Sequence, residues 1–352
     1  GKEVLLDVEF TLKTAEPLMK KDQMVAYSQL TIKEKQCCGH CTDKMAKAQD
    51  GKTVKAKLID KKGEGDITVS TPTLTLKVNR NTGFISTYTY EGKSFLGEGG
   101  TLKPNFWRAP TDNDMGAGLQ KKFKAWKNPQ MNLKSVVVEK DKKANTFNIC
   151  STYDMPDVKG ELKISYLVMA NTGVVKVTED FNATEGAKVS DLFRFGMLMQ
   201  LPYNMEQSVF YGRGPIENYS DRKDCMPLVI LGQDAEEQFF PYIRPQETGT
   251  KSEIRWWKQM DENGFGFMIK DCKPFYASAI HYDIEELDGG DEKHQRHSYD
   301  LKKSKYTNLF LDGEHMGVGG ENSWGAWPLE QYRVHYGNKS FSFAIIPLQK
   351  KD

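Results

Sequence analysis

The stretch Leu162-Lys-Ile-Ser-Tyr-Leu-Val-Met-Ala-Asn-Thr-Gly-Val-Val-Lys-Val177 indicates the fold class of this chain. Its first apolar residues alternate with polar ones, and Asn171-Thr-Gly173 is a turn signal before the next apolar run. Alternation with period two turns one face of a strand towards a core and the other towards water. The stretch therefore predicts two antiparallel strands joined by a hairpin turn.

Similar alternation recurs along the whole chain, in residues 4–12, 74–78, 147–149, 309–311 and 341–345. Turn signals such as Asn81-Thr-Gly83, Glu91-Gly-Lys93 and Tyr336-Gly-Asn338 separate the runs at hairpin-like spacing. The best helical pattern, around residues 119–126, is short and lysine-rich, and it predicts a turn or two beside a loop. We predict an all-β, antiparallel fold.

The composition changes between residues 33 and 65, where Lys, Asp, Gly and Cys replace apolar residues. Two strands are predicted before this change, near residues 3–13 and 23–32, and two strands cannot bury a core, since an immunoglobulin-like sandwich has about seven. We predict that residues 1–60 hold the last strands of an immunoglobulin-like sandwich and a linker. Residues 66–352 would form one large sandwich.

The charge balance excludes several classes of partner. The chain has 352 residues, and 49 basic and 48 acidic residues leave a formal net charge of +1. Such a balance creates no field that attracts nucleic acid or an anionic membrane. No stretch approaches the roughly 18–20 apolar residues of a membrane span, and no secretory signal pattern opens the sequence. We expect neither nucleic acid nor a membrane as a partner.

The cysteines provide a test for a metal site. Cys37, Cys38 and Cys41 cluster around His40, but a closed zinc site ordinarily combines two such pairs, and adjacent residues rarely converge on one tetrahedron. We predict reduced thiols and no metal ligands here. Reduced thiols favour a reducing compartment such as the cytoplasm.

Three motifs combine glycines with polar or aromatic side chains. His315-Met-Gly-Val-Gly-Gly-Glu-Asn-Ser-Trp324-Gly-Ala-Trp327 either presents residues to a sugar or is a turn with its tryptophans in the core. In Tyr211-Gly-Arg-Gly-Pro-Ile-Glu-Asn-Tyr-Ser-Asp-Arg222 the charges form either a ligand site or a network that fixes a loop, the commoner case. Trp107-Arg-Ala-Pro-Thr-Asp-Asn-Asp-Met-Gly-Ala-Gly118 predicts a turn and a hinge at Gly116 and Gly118. His294 and His297 are three residues apart, which in a strand places them on opposite faces and argues against a shared metal.

At these motifs the chain resembles the C-terminal region of β-galactosidases of glycoside hydrolase family two. The matching segments are residues 107–116, 212–222, 241–249 and 312–324, in the family's order and with similar gaps. The resemblance implies a large super-sandwich of the galactose mutarotase-like kind. It also implies a retaining hydrolysis in which two glutamates act, both on a (β/α)₈ barrel that this sequence lacks. We therefore expect no catalytic residue in this chain.

The resemblance also implies roles for particular residues. Trp324 matches a tryptophan that forms an apolar platform for the β-galactoside substrate, and Gly116 matches the start of a mobile active-site loop. Ala117 and Gly118 are assigned to the same loop, although the sequence after Gly116 departs from that of the best-known family members. Glu321, Asn322 and His315 would support the tryptophan loop, with Glu321-Asn322 in place of two aspartates.

The partner implied by the resemblance is the barrel-containing remainder of the enzyme or a large subunit. The parent enzyme would be a homo-oligomer that uses Mg²⁺ and Na⁺, bound mainly by the barrel, and the domain could also build the oligomer interface. A different interpretation is a stand-alone mutarotase or a carbohydrate-binding module. A mutarotase needs an acid and a base, for which His281, His297 and Glu247 are the candidates.

Overall fold

The computed structural model describes residues 2–34, 53–61, 65–292, 296–322 and 325–349. The strands in these ranges are β1 Val4–Thr11, β2 Met24–Lys33, β3 Lys57–Ile59, β4 Ile67–Ser70, β5 Leu74–Val78, β6 Ile85–Tyr90, β7 Lys93–Ser94, β8 Leu102–Asn105, β9 Asn132–Asp141, β10 Thr146–Met155, β11 Gly160–Met169, β12 Val174–Ala183, β13 Arg194–Pro202, β14 Gln207–Arg213, β15 Leu228–Gln233, β16 Lys251–Met260, β17 Gly266–Ile280, β18 Tyr306–His315 and β19 Lys339–Pro347. The α-helices are α1 Asp112–Ala117, α2 Leu119–Lys122, α3 Ala235–Gln238 and α4 Ile284–Leu287, and short 3-10 turns cover 124–126, 156–158, 298–300 and 330–332.

The strand pairing confirms the all-β prediction. All the strand pairs among these elements are antiparallel, and the hairpin expected at residues 162–177 is formed by β11 and β12. Gly173 in its turn has a φ of +74°, a conformation that glycine adopts without strain. The helical pattern near residue 119 becomes α2 and the following 3-10 turn, as expected. None of the described helices is long and apolar enough to cross a membrane.

The chain divides into two compact units, Gly1–Cys41 and Thr42–Asp352. The first contains β1 and β2, paired along their length, and Tyr27 and Gln29 of β2 both donate hydrogen bonds to Asp7 of β1. Leu6, Phe10 and most other large apolar side chains of this hairpin are exposed. A two-stranded sheet has too little area to bury them. Its assignment to an immunoglobulin-like sandwich stays a prediction.

The second unit contains all the other strands. One run of neighbouring strands is β3-β4-β5-β6-β8-β13-β18-β17, and another is β9-β10-β11-β12-β19-β17-β16-β14-β15. β17 belongs to both runs, because residues 267–270 pair with β19 and residues 276–280 pair with β18. Strand β3 lies in the stretch that we expected to be linker, and its pairing with β4 joins it to the large unit instead.

The core of this unit lies between the two runs of strands. Tyr88 of β6 donates a hydrogen bond to the carbonyl of Gly173 at 2.7 Å, and Tyr153 of β10 donates one to the carbonyl of Thr82 at 2.7 Å. These buried hydroxyls tie the turns of one run to the strands of the other. Apolar residues from both runs form one continuous core cluster around them. The alternation seen in the sequence thus corresponds to inward-facing side chains.

Cys150 and Cys225 are free thiols. Cys37, Cys38, Cys41 and His40 lie outside the described residues, as does His294, so the expectations about them stay predictions. The reducing compartment is likewise a prediction.

Glu179 of β12 is a carboxyl inside the core. It is fully buried, and within the described ranges neither of its oxygens has a hydrogen-bond partner. Burial raises its pKa well above the usual value, and the nearby Asp312 adds to the shift. Burial therefore favours the neutral form of this carboxyl in the folded chain.

Replacing Glu179 with glutamine is expected to remove a pH-dependent loss of stability. Because the folded-state pKa is raised, the free energy of unfolding is highest below the unfolded-state pKa of about 4.3. It declines as the pH rises from there towards the folded-state pKa. Denaturant unfolding between pH 5 and 9 should show this decline in the wild type and a flatter profile in Glu179→Gln. The exposed Glu185→Gln variant is the control. If the free energy of unfolding changes equally with pH in all three proteins, the raised pKa of Glu179 is contradicted.

Candidate functional site

The motif that begins at Trp107 places a buried arginine at the centre of the candidate site. Arg108 forms a bidentate pair with Asp114, with Nε and Nη2 donating to the two carboxylate oxygens at 3.0 and 2.8 Å. Its Nη1 donates to the carbonyl of Met316 at 2.7 Å, and Nη2 also donates to the carbonyl of Gly317 at 2.9 Å. One fully buried guanidinium therefore joins helix α1 to the glycine-rich segment after β18.

Helix α1 forms because its first turn is capped. Thr111 accepts a hydrogen bond from the backbone of Asp114, and the Asp114 carboxylate accepts one from the backbone of Thr111. Gly118 ends the helix in the left-handed conformation, with a φ of +71°. Gly116 and Ala117, for which we expected a loop, are the last residues of this helix. Their mobility stays a prediction.

A second carboxylate fixes the glycine-rich segment from the other side. Asp221 accepts hydrogen bonds from the backbone N–H groups of Val318 and Gly319, at 3.0 and 2.8 Å. A Cβ at Gly317 would lie 2.4 Å from Asp221 Oδ2, so only glycine permits this approach. The Asn113 amide donates to the carbonyl of Val318 at 2.9 Å. The backbone of residues 316–319 is thus held by side chains from two distant motifs.

The chain comes back to helix α1 after residue 324. Gly325 has a φ of +80°, and a Cβ there would lie 2.7 Å from the carbonyl oxygen of Gly116. Trp327 is half-buried, with its ring edge-on to Phe123 and the Arg333 guanidinium 4.6 Å from its ring centroid. Of the two tryptophans in the motif, Trp327 packs against the core, as one of the two interpretations of the motif expects. Trp324 lies outside the described residues.

A cluster of buried charges lies behind this segment. Arg194 pairs with Asp312 through Nε and Nη2 at 3.1 and 2.6 Å, and its Nη1 lies 3.6 Å from Glu247. Burial raises the pKa of Asp312 to about 7 against the opposing effect of Arg194. Burial also raises the pKa of Glu247, which accepts a hydrogen bond from Thr250.

His315 is buried beside this cluster. Burial lowers its pKa well below the usual value, and Arg194 and Arg108 lower it further, so the ring is neutral. Its Nδ1 lies 3.0 Å from the carbonyl of Met316, which places the proton on Nδ1. Glu321 and Asn322, the other two supporting residues expected from the sequence, are exposed.

The motif from Tyr211 to Arg222 contains paired charges, as the network interpretation expects. Arg222 pairs with Glu217 at 2.6 Å, and Arg213 pairs with Glu253 at 3.0 Å. Glu217 also accepts a hydrogen bond from the backbone of Gly249, which fixes the end of the segment before β16.

The acid–base candidates for a mutarotase have separate partners. His281 is buried, stacks on Tyr203 and contacts Glu206 at 2.8 Å, whereas His297 is exposed and contacts the carbonyl of Ile243. Glu247 belongs to the Arg194 cluster. No group of three or more His, Cys, Asp or Glu side chains in the described part of the chain could hold a metal ion. The Mg²⁺ and Na⁺ of the resemblance stay a prediction.

Arg108 and Arg194 were not singled out in the sequence. A signal was available for Arg194, which is a charged residue within the apolar run Leu192-Phe-Arg-Phe-Gly-Met-Leu198. Such a residue is buried only when it is paired. Its partner, Asp312, is more than a hundred residues away along the chain, and no local pattern links the two.

Comparison with known proteins gives these residues a context. The family described as "Beta galactosidase small chain" matches residues 70–345. A β-galactosidase from Priestia megaterium is 30% identical over 81% of this chain and 27% of its own length, and one from Lactobacillus delbrueckii subsp. bulgaricus is 33% identical over 62% of this chain and 21% of its own length. The chain thus spans about a quarter of the length of these relatives.

Two similar solved structures are proteins of the galactose mutarotase type. One is a galactose mutarotase related enzyme from Lactobacillus acidophilus, with a TM-score of 0.43 and 10% identity, covering 81% of this chain and 98% of its own. The other is a galactose mutarotase-like protein from Lactobacillus casei, with a TM-score of 0.43 and 8% identity, covering 81% of this chain and 100% of its own. The family match covers most of the chain, and the chain therefore belongs to the β-galactosidase small-chain family.

Proposed function

We propose that this chain is the C-terminal portion of a retaining β-galactosidase and completes an active site whose catalytic glutamates lie on a separate barrel portion. The observation that carries the proposal is the convergence of Arg108, Asn113 and Asp221 on the backbone of residues 316–319. This segment leads directly to Trp324. A backbone fixed by hydrogen bonds from the side chains of two distant motifs suits a residue that must be presented at a defined position.

In this proposal Trp324 is an apolar platform for the galactoside, and Glu321, Asn322 and His315 support its loop. Residues 116–118 change conformation when substrate binds, and the Gly116–Gly325 contact gives that change a route to the tryptophan. The carboxylates of the Arg194 cluster are buried and paired, which suits a structural role. The Mg²⁺ and Na⁺ of the enzyme would be bound by the barrel portion.

An activity assay tests the proposal. The chain alone should give no turnover of a chromogenic β-galactoside, because neither catalytic glutamate is present. Addition of the barrel-containing portion should restore activity. Robust turnover by the chain alone would overturn the proposal, and so would a failure of the two portions to restore any activity.

Replacing Trp324 with alanine is expected to raise KM in the assembled enzyme by roughly tenfold, which corresponds to about 1.4 kcal/mol of lost binding. The effect on kcat should be smaller, because a platform contributes to binding more than to the chemical step. Steady-state kinetics with the same galactoside measure both constants. Trp327→Phe is the matched control because Trp327 packs on the core edge. An unchanged KM in Trp324→Ala would contradict the platform role.

A mutarotase is not proposed, because His281, His297 and Glu247 each have other partners. Polarimetry of freshly dissolved α-galactose should show no acceleration over buffer.

A further inference from the structure

Four large apolar side chains near the candidate site face solvent. Ile216 is 61% exposed, Phe240 55%, Ile243 84% and Tyr299 84%. We call these four residues the apolar patch. Soluble proteins rarely expose adjoining large apolar residues, and where they do the surface ordinarily meets another macromolecule.

The apolar patch is held together by contacts between its neighbours. The rings of Phe240 and Tyr242 are 4.6 Å apart, and the Tyr242 hydroxyl donates a hydrogen bond to Glu217, the residue after Ile216. These contacts join three of its members through two loops.

The fourth member is attached from the opposite side. Ser298 donates a hydrogen bond to the carbonyl of Tyr242 at 2.8 Å, and His297 Nδ1 lies 3.0 Å from the carbonyl of Ile243. The His297 ring stacks with Tyr299, with centroids 5.5 Å apart. The backbone is thus pinned while the apolar side chains point outwards, an arrangement that costs free energy unless something covers them.

The apolar patch is linked directly to the candidate site. Arg244 follows Ile243, and its guanidinium donates to Asp112 at 2.8 Å and to the carbonyl of Pro110 at 3.0 Å. Asp112 starts helix α1, whose Asn113 holds the glycine-rich segment. The apolar patch and the segment that leads to Trp324 are therefore two parts of one connected surface.

We propose that the apolar patch is the surface on which the barrel-containing portion of the enzyme docks. This inference rests on the proposed function. The relatives are about four to five times as long as the matched region, so a large partner region is available to cover it. A tryptophan platform reaches only a few ångströms from its backbone, so the surface beside it must lie against the portion that holds the galactoside. An apolar surface that is buried in that contact excludes water from it.

The test is a titration of the chain with the barrel-containing portion, followed by galactoside turnover. The double variant Ile243→Glu/Tyr299→Glu should need a partner concentration about 30-fold higher or more for half-maximal activity. Activity at saturating partner should approach that of the wild type, because neither residue touches substrate. Ile230→Glu is the matched control, since Ile230 is 65% exposed on β15 outside the apolar patch, and it should titrate like the wild type.

The outcomes separate the two proposals. If the double variant and the wild type give the same titration curve, the docking surface is wrong while the proposed function stands. If the wild type restores no activity, the proposed function fails and the docking surface with it. Sedimentation of the chain alone provides a further check, because a dimer that the double variant dissociates would make a second copy the occupant and overturn the proposal. Unchanged circular dichroism and melting temperature would show that the variants fold.

Discussion

Replacing Arg108 with methionine is expected to lower the free energy of unfolding by about 3–5 kcal/mol, the range for breaking one side of a buried ion pair. Methionine fills a similar volume but donates no hydrogen bond. The Asp114 carboxylate would remain buried without its bidentate partner, and the carbonyls of Met316 and Gly317 would lose their donors. Urea unfolding of the chain measures the change.

The same variant should raise KM in the assembled enzyme, because the backbone before Trp324 loses one of its supports. Arg108→Lys should be intermediate for stability, since a lysine keeps the charge but not the planar fork. Arg296→Met is the control, because Arg296 and its partner Glu286 are both partly exposed and such a pair contributes about 0–1 kcal/mol. A stability change for Arg108→Met as small as that of the control would show that Arg108 does not hold the segment.

Replacing Arg194 with methionine is expected to lower the free energy of unfolding by a similar amount, and this loss should depend on pH. The variant leaves Asp312 buried without its partner, and the expected loss at pH 8 is about 3–5 kcal/mol. Burial already raises the pKa of Asp312 to about 7, and removal of the guanidinium raises it further. A carboxyl with a raised folded-state pKa lowers the stability of the protein as the pH rises. The destabilisation by Arg194→Met should therefore be smaller at pH 5, where Asp312 is protonated.

A double-mutant cycle separates the pair from its surroundings. Arg194→Met combined with Asp312→Leu removes both charges, and replacement of a whole buried pair with apolar side chains is often neutral or stabilising. The double variant should therefore be more stable than Arg194→Met alone. A double variant that is less stable than both single variants would indicate that Arg194 acts mainly through Glu247, 3.6 Å away.

The fold was largely predictable because the strands have one face in the core and one towards solvent, which appears in the sequence as alternation with period two. The hairpin of β11 and β12 and strand β5 follow the sequence pattern closely. Strand β3 was not predicted, because three residues are too few to show alternation and only pairing with β4 defines them. The branching of β17 between two runs of strands was not predictable either, since it arises from tertiary pairing.

The candidate site was predictable in its segments but not in its connections. Glycine-rich motifs with charges identified the segments around Asp114, Asp221 and Gly317, and each contributes to the site. The buried side chain that joins them, Arg108, looks from sequence like any arginine next to a turn. Its role depends on hydrogen bonds to Met316 and Gly317, about two hundred positions away along the chain. A local sequence pattern cannot predict such contacts.

Strand β19 has a consequence for the rate at which the large unit forms. It lies between β12 and β17, and Val175 is the partner of Ile345 in one pairing while Phe267 is the partner of Pro347 in the other. Pairings between residues so far apart in sequence slow folding, and domains rich in them fold in milliseconds to seconds or more slowly. Until β19 docks, two strands have open backbone edges that can pair with another molecule. Refolding yield should therefore fall as protein concentration rises.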